Sequence, residues 1–165
     1  MSKYLYFICP TDGIETAINR AFEHTNYFYT SLGNSVTFNA DTMSRVESLL
    51  VKHNIQGINF ILSVSNPIIQ DALGNRHFSE IRGLHHFYLE ISKQKQYSEV
   101  LYRQHNREVI ILFYYLNKKI RELVKALKGR KIEKVHIKGK IYNKRKNLFQ
   151  EIYPDLVCTE YFSRN

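Results

Sequence analysis

The chain has 165 residues, 44% of them hydrophobic and 24% charged, with a net charge of +9. That is enough for a single domain, 1–165, with a substantial core, and too little to suggest two. The longest apolar run, 109–116, is far below the roughly 20 residues that span a bilayer, and nothing reads as a signal peptide. Two distant cysteines, Cys9 and Cys158, make neither a disulfide framework nor a CxxC pair, so a cytoplasmic protein with reduced thiols and no membrane contact is expected.

Residues 3–9 predict a buried strand that runs straight into "PTDG". A helix start follows, in which Asp12 and Glu15 have capping-box spacing and Ile14, Ile18 and Phe22 share a face. A second strand is expected over 26–30, ended by the turn "LGN", and Asp41 then caps a helix with Met43, Val46, Leu49 and Leu50 on one side. The run 57–64, "GINFILSV", is apolar enough for a central strand. Asn66-Pro67 opens a short helix that Gly74-Asn75 stops. From Ser79 to about Lys128 the pattern is helical, first with Ile81, Leu84, Tyr88 and Ile91 on one face. Val109, Phe113, Leu116, Ile120, Leu123 and Leu127 line the second part, opposite a solvated stripe of Lys118, Arg121, Lys125 and Lys128. Residues 134–142 alternate, with Val135, Ile137 and Ile141 inward and His136, Lys138, Lys140 and Tyr142 outward, and 148–152 can return as an antiparallel partner. The order predicts an α/β fold, with a mostly parallel central sheet of four strands plus an antiparallel edge strand, and helices on both faces.

Three groups of residues could carry function. Thr11, Ser31, Gly33, Asn34, Ser63, Ser65 and Asn66 should meet at the carboxyl ends of the first three strands, where α/β proteins bind ligands and helix N-termini favour a small anion. The same residues could equally be caps and turns that satisfy themselves. Cys9 and Asp12 stand in that crevice as candidate reactive groups, although a free cysteine is more often a small core side chain and Asp12 can act as a helix cap. The third group is basic: Lys125, Lys128, Arg130, Lys131, Lys134, Lys138, Lys140, Lys144, Arg145 and Lys146 lie in one stretch with a single acid, Glu133. It could bind nucleic acid or an acidic partner, or merely keep an exposed hairpin soluble; with Tyr142 as its one aromatic it is a poor stacking platform. No metal site is expected from His77, His85 and His86, because adjacent helical residues diverge by about 100° and no HxxxH or HExxH spacing occurs.

The element order and its landmarks resemble the β-class carbonic anhydrases. That family's first strand ends in Cys-x-Asp-Ser-Arg, where this chain has "CPTDG"; its Arg-Asn-Ala-Gly-Asn turn corresponds to "FYTSLGN", with Gly33 and Asn34. Its Gly-His-x-x-Cys-Gly segment falls on "INFILSVSNPI", and a late helix and strand correspond to "HNREV" and "VHIKGKIYN", with Val135, His136, Gly139 and Tyr142. The resemblance spans residues 3 to about 152 and implies that fold and a dimer. Such an anhydrase holds zinc with two cysteines and a histidine. Here only Cys9 matches a ligand position, and Ser63 and Asn66, or Val64 and Pro67, stand where the other two belong. Without three ligands no water is activated at neutral pH.

The expectation is a zinc-free and non-catalytic protein of this fold, without a cofactor, acting as a binding or scaffolding homodimer. Tyr27, Tyr29, Tyr114 and Tyr115 would supply aromatic interface surface. A metal-independent enzyme using Cys9 or Asp12 is one rival, and a nucleic-acid binder is another.

Overall fold

The computed structural model describes residues 1–101, 107–130, 132 and 134–152. Five strands form one sheet in the order β2-β1-β3-β4-β5. They are β1 (Lys3–Ile8), β2 (Thr25–Thr30), β3 (Gly57–Ser63), β4 (His136–Asn143) and β5 (Leu148–Glu151). All pairings are parallel except β4 with β5, which is antiparallel and closes the edge. The expected boundaries thus hold to within two residues at each end.

Every residue of β3 is buried, as an apolar strand covered on both faces requires. On one face Leu5, Phe7, Ile58, Phe60 and Leu62 pack under α2 (Ala40–His53), α3 (Pro67–Leu73), α4 (His85–Leu101) and α5 (Arg107–Leu127). On the other, Tyr6, Ile8, Ile61 and Tyr142 pack with Ile14 and Ile18 of the segment around α1 (Glu15–Ala21). The chain passes from β2 over to β3 on the far side of β1, so the direction of winding reverses between β1 and β3. The last backbone pair between those strands is Phe7 with Phe60.

Several local expectations are corrected. Asp12 does not cap α1: Pro10–Asp12 is a 3-10 turn, Gly13 takes a left-handed φ of 57°, and the helix begins after Ile14. The cap of α2 is Asn39, whose side chain accepts from the Thr42 N–H, with Asp41 inside the first turn. Ile81 is exposed, since the chain is not helical between the end of α3 at Leu73 and His85. Tyr142 is buried rather than outward, because α1 covers that end of the sheet and Phe149 stacks on its ring at 4.5 Å. Tyr114 and Tyr115 are buried inside the chain, Tyr115 against the Phe87 ring of α4 at 5.3 Å. Asn66-Pro67 behaves as read: the Asn66 side chain accepts from the Ile68 and Ile69 N–H groups, and Gly74 ends the helix.

Candidate functional site

A crevice is expected where winding reverses, outside the carboxyl ends of β1 and β3. The fold does bring the predicted residues there, and it packs them against one another. Asn34, fully buried at a left-handed φ of 55°, sits in the gap beyond the Phe7–Phe60 pair. Its amide nitrogen donates to the carbonyls of Phe7 (3.0 Å) and Ile61 (2.9 Å), bridging the two strands after their own ladder has ended. Gly33, at φ 60°, is positioned so that a Cβ would lie 2.9 Å from the Phe87 ring, so both the turn and the close packing require glycine. Tyr115, on α5, donates its hydroxyl to the Asn34 carbonyl at 2.9 Å and so fixes the turn from behind.

Cys9 is fully buried at the end of β1. Its Sγ accepts the Gly33 N–H at 3.1 Å and lies 3.0 Å from the Thr11 hydroxyl. Asn66 extends this chain, its amide donating to Thr11 Oγ1 at 3.3 Å while its oxygen caps α3. Asp12, 1% exposed, turns away from its own helix and accepts the Ser63 N–H through Oδ2 at 2.9 Å. Its Oδ1 is buried with no hydrogen-bond partner among the described residues. Burial pushes the Asp12 carboxyl up, against the opposing pull of the Ser63 N–H, the Asn66 amide and the Lys144 ammonium. The Ser63 hydroxyl bonds that of Ser65 at 3.0 Å, and Thr11 and Ser65 are the exposed members of the group. The Ser31 hydroxyl is buried without a partner among the described residues, beside a groove of about 990 Å³ between β2 and α5.

The N–H groups that an anion would use are therefore engaged: Gly33 by Cys9, Ser63 by Asp12, and Ile68 and Ile69 by Asn66. Among the described residues no three His, Cys, Asp or Glu side chains come together so as to hold a metal ion. A thiol flanked by a hydroxyl and an amide does not fit zinc, which takes thiolate and imidazole in a tetrahedral set. Nor does an α-helix start at Cys9, since the three-residue turn and Gly13 intervene.

The basic run does not form one surface. Lys125, Lys128 and Arg130 lie exposed at the end of α5, where Arg130 pairs with Glu47. Lys138 and Lys140 lie on β4 and share Glu151, at 2.8 and 3.3 Å. Lys144, Arg145 and Lys146 form the β4–β5 hairpin turn, while Lys131 and Cys158 lie outside the described residues. The eight residues of β4, about 26 Å long at ~3.3 Å per residue, separate the two ends by well over a Debye length. Sequence reasoning gave Tyr115 to an interface instead of to the Asn34 turn, and missed Lys119, a buried lysine on α5 whose ammonium donates to the Val36 carbonyl (3.0 Å) and pairs with Glu122 (2.9 Å). The helical period placed both on α5 but gave no sign of the non-local carbonyls they meet.

No family profile and no curated protein matches the chain. Solved structures do match. The β-carbonic anhydrase CafA of Aspergillus fumigatus superposes with a TM-score of 0.69 at 13% identity, covering 98% of this chain and 82% of that one. A variant of CafD from the same fungus gives 0.72 at 14% identity, over 93% and 90%. The Coccomyxa β-carbonic anhydrase in complex with acetazolamide gives 0.68 at 14% identity, over 91% and 71%. At these identities the likeness establishes the fold: a β-carbonic-anhydrase-like α/β architecture, with a parallel core and an antiparallel edge strand.

Proposed function

We propose that this chain is a zinc-free, non-catalytic protein of the β-carbonic-anhydrase-like fold, with a binding or scaffolding role as a homodimer. One observation carries the reading: Cys9, the single residue matching a zinc ligand of the resembled family, has its sulfur buried and hydrogen-bonded to the Gly33 N–H and Thr11. A metal there would have to displace both partners and still lack two ligands. An anion at the strand ends would compete with Cys9 and Asp12 for the same N–H groups, so binding there is coupled to opening of the cluster. The burial of Cys9 and Asp12 weighs against the rival enzyme, and the division of the basic run weighs against the nucleic-acid reading. Dimerisation is supported by β2, an outer strand of mostly half-buried residues, Tyr27 and Tyr29 among them, whose far edge pairs with no strand among the described residues. Protein purified without chelator should contain well under one zinc per chain and show no CO2 hydration. Stoichiometric zinc, lost together with hydration activity on Cys9→Ser, would overturn the reading. Alkylation of Cys9 at neutral pH as fast as that of a free thiol would favour the enzyme, and a concentration-independent mass near 19.6 kDa would exclude the dimer.

A further inference from the structure

The helix α1 is only seven residues, about 10 Å at 1.5 Å per residue, and it covers one end of its sheet face. The other end is left as a groove of about 410 Å³ over β1, β3 and β4, within the size range of small-molecule sites. At its floor the strand register aligns Tyr6, Asn59 and Lys138 in one row across the sheet. Asn59 is the anomaly. It stands in the middle of the central parallel strand, is 5% exposed and lines the groove, and its amide makes no hydrogen bond to any described residue. A parallel strand ordinarily carries an apolar residue there, and a buried amide ordinarily has partners. The Tyr6 hydroxyl, beside it and 1% exposed, is likewise without a protein partner among the described residues. Burial pushes Tyr6 up to about 12, so the group stays a donor at neutral pH.

The walls give the rest of the chemistry. Tyr4 and His24 stack at 4.6 Å, and Gly57 leaves room for Tyr4 to lie against the sheet, since a Cβ there would meet its ring at 2.3 Å. Lys140 lies over the Phe22 ring, 5.6 Å from its centroid. Lys138 and Lys140 share one carboxylate, Glu151, so two cations facing one anion leave a single positive charge to be matched. We propose that this groove binds a small planar monoanion of the aromatic carboxylate class, its ring against the Tyr4–Tyr6 wall. Its carboxylate meets Lys138 and Lys140, and a polar ring substituent or carboxylate oxygen engages the Asn59 amide and Tyr6 hydroxyl. This is a site separate from the strand-end cluster, sharing no residue with it, so its success or failure is independent of the zinc measurement.

The test is a calorimetric and NMR titration of the full chain with 4-hydroxybenzoate, with 4-hydroxybenzamide as the neutral isostere and inorganic phosphate as the ringless anion. Saturable binding of 4-hydroxybenzoate is expected, with shifts at Tyr6, Asn59 and Lys138 and at least about tenfold weaker binding of the amide and of phosphate. Lys138→Met, at an exposed position, should weaken binding about fivefold or more, and Asn59→Leu should abolish it; Lys125→Met should change nothing. The proposal is overturned if no saturation appears by about 10 mM, if the neutral amide binds as well, or if phosphate binds as well. It is equally overturned if the shifts map elsewhere or if Lys138→Met is without effect.

Discussion

Asn34→Ala removes the side chain that joins β1 to β3 beyond the end of their ladder. Two buried carbonyls, those of Phe7 and Ile61, lose their donor, and each such loss costs about 1–3 kcal/mol. Asn34 also holds a left-handed backbone that alanine adopts at a cost of about 1–2 kcal/mol. The total is about 3–8 kcal/mol, a large share of the ~5–15 kcal/mol that holds a domain folded. Urea unfolding followed by circular dichroism reads it directly. With an m-value of about 2 kcal/mol/M, the midpoint should fall by about 1.5–4 M, with m itself unchanged. A fall of less than about 0.5 M would mean that water or relaxed strands satisfy those carbonyls, and the account of Asn34 as a bridge between strands would be wrong.

Asp12 gives a dependence on pH of the opposite sign to ordinary acid denaturation. Burial raises its folded-state pKa above the unfolded value, so the folded protein holds the proton more tightly. That contribution is complete below the unfolded value of about 3.9 and is lost as pH rises through the folded one. Asp12→Asn keeps an oxygen for the Ser63 N–H and does not titrate, so its thermal midpoint should gain on the parent's between pH 4 and neutrality; a parent that gains instead refutes the assignment. Tyr115→Phe deletes one buried hydrogen bond to the Asn34 carbonyl and should cost about 1 kcal/mol, or roughly 2–4 °C in Tm. An unchanged melting curve would show that the hydroxyl does not hold the turn.

What the sequence reveals and what it hides divide along local and non-local lines. The largely apolar run 57–63 and the Asn66-Pro67 cap are local signals, and both are realised. The spacing of Asp12 and Glu15 is equally local, yet Gly13 breaks the backbone between them and the carboxylate reaches an N–H on another strand. Asn39 and Asp41 are both good caps two residues apart, and local chemistry alone does not choose between them. Burial of Tyr115 depends on Phe87 of α4 and on the Asn34 carbonyl, which the period of α5 does not encode. The strand-end residues were recognisable as a group because strand termini converge in any parallel sheet. That Cys9 and Asp12 would take up the neighbouring N–H groups depends on side-chain directions fixed only by the packed chain. Ten cations cluster in the sequence, but the length of β4 sets Lys125, Lys128 and Arg130 apart from Lys144, Arg145 and Lys146, with Lys138 and Lys140 between them on the strand.

The partners of Cys9 and Asp12 also bear on how the molecule moves. Gly33 and Ser63 lie where strands give way to turns, and amides in such places usually exchange with solvent through small local openings. Here each N–H is held by a buried acceptor far along the chain, 24 residues away for Gly33 and 51 for Ser63. Releasing either requires the end of β1 to part from its neighbours. Their exchange is therefore tied to opening of the sheet itself, and the rim that in many α/β proteins is free to breathe belongs here to the same cooperative unit as the core.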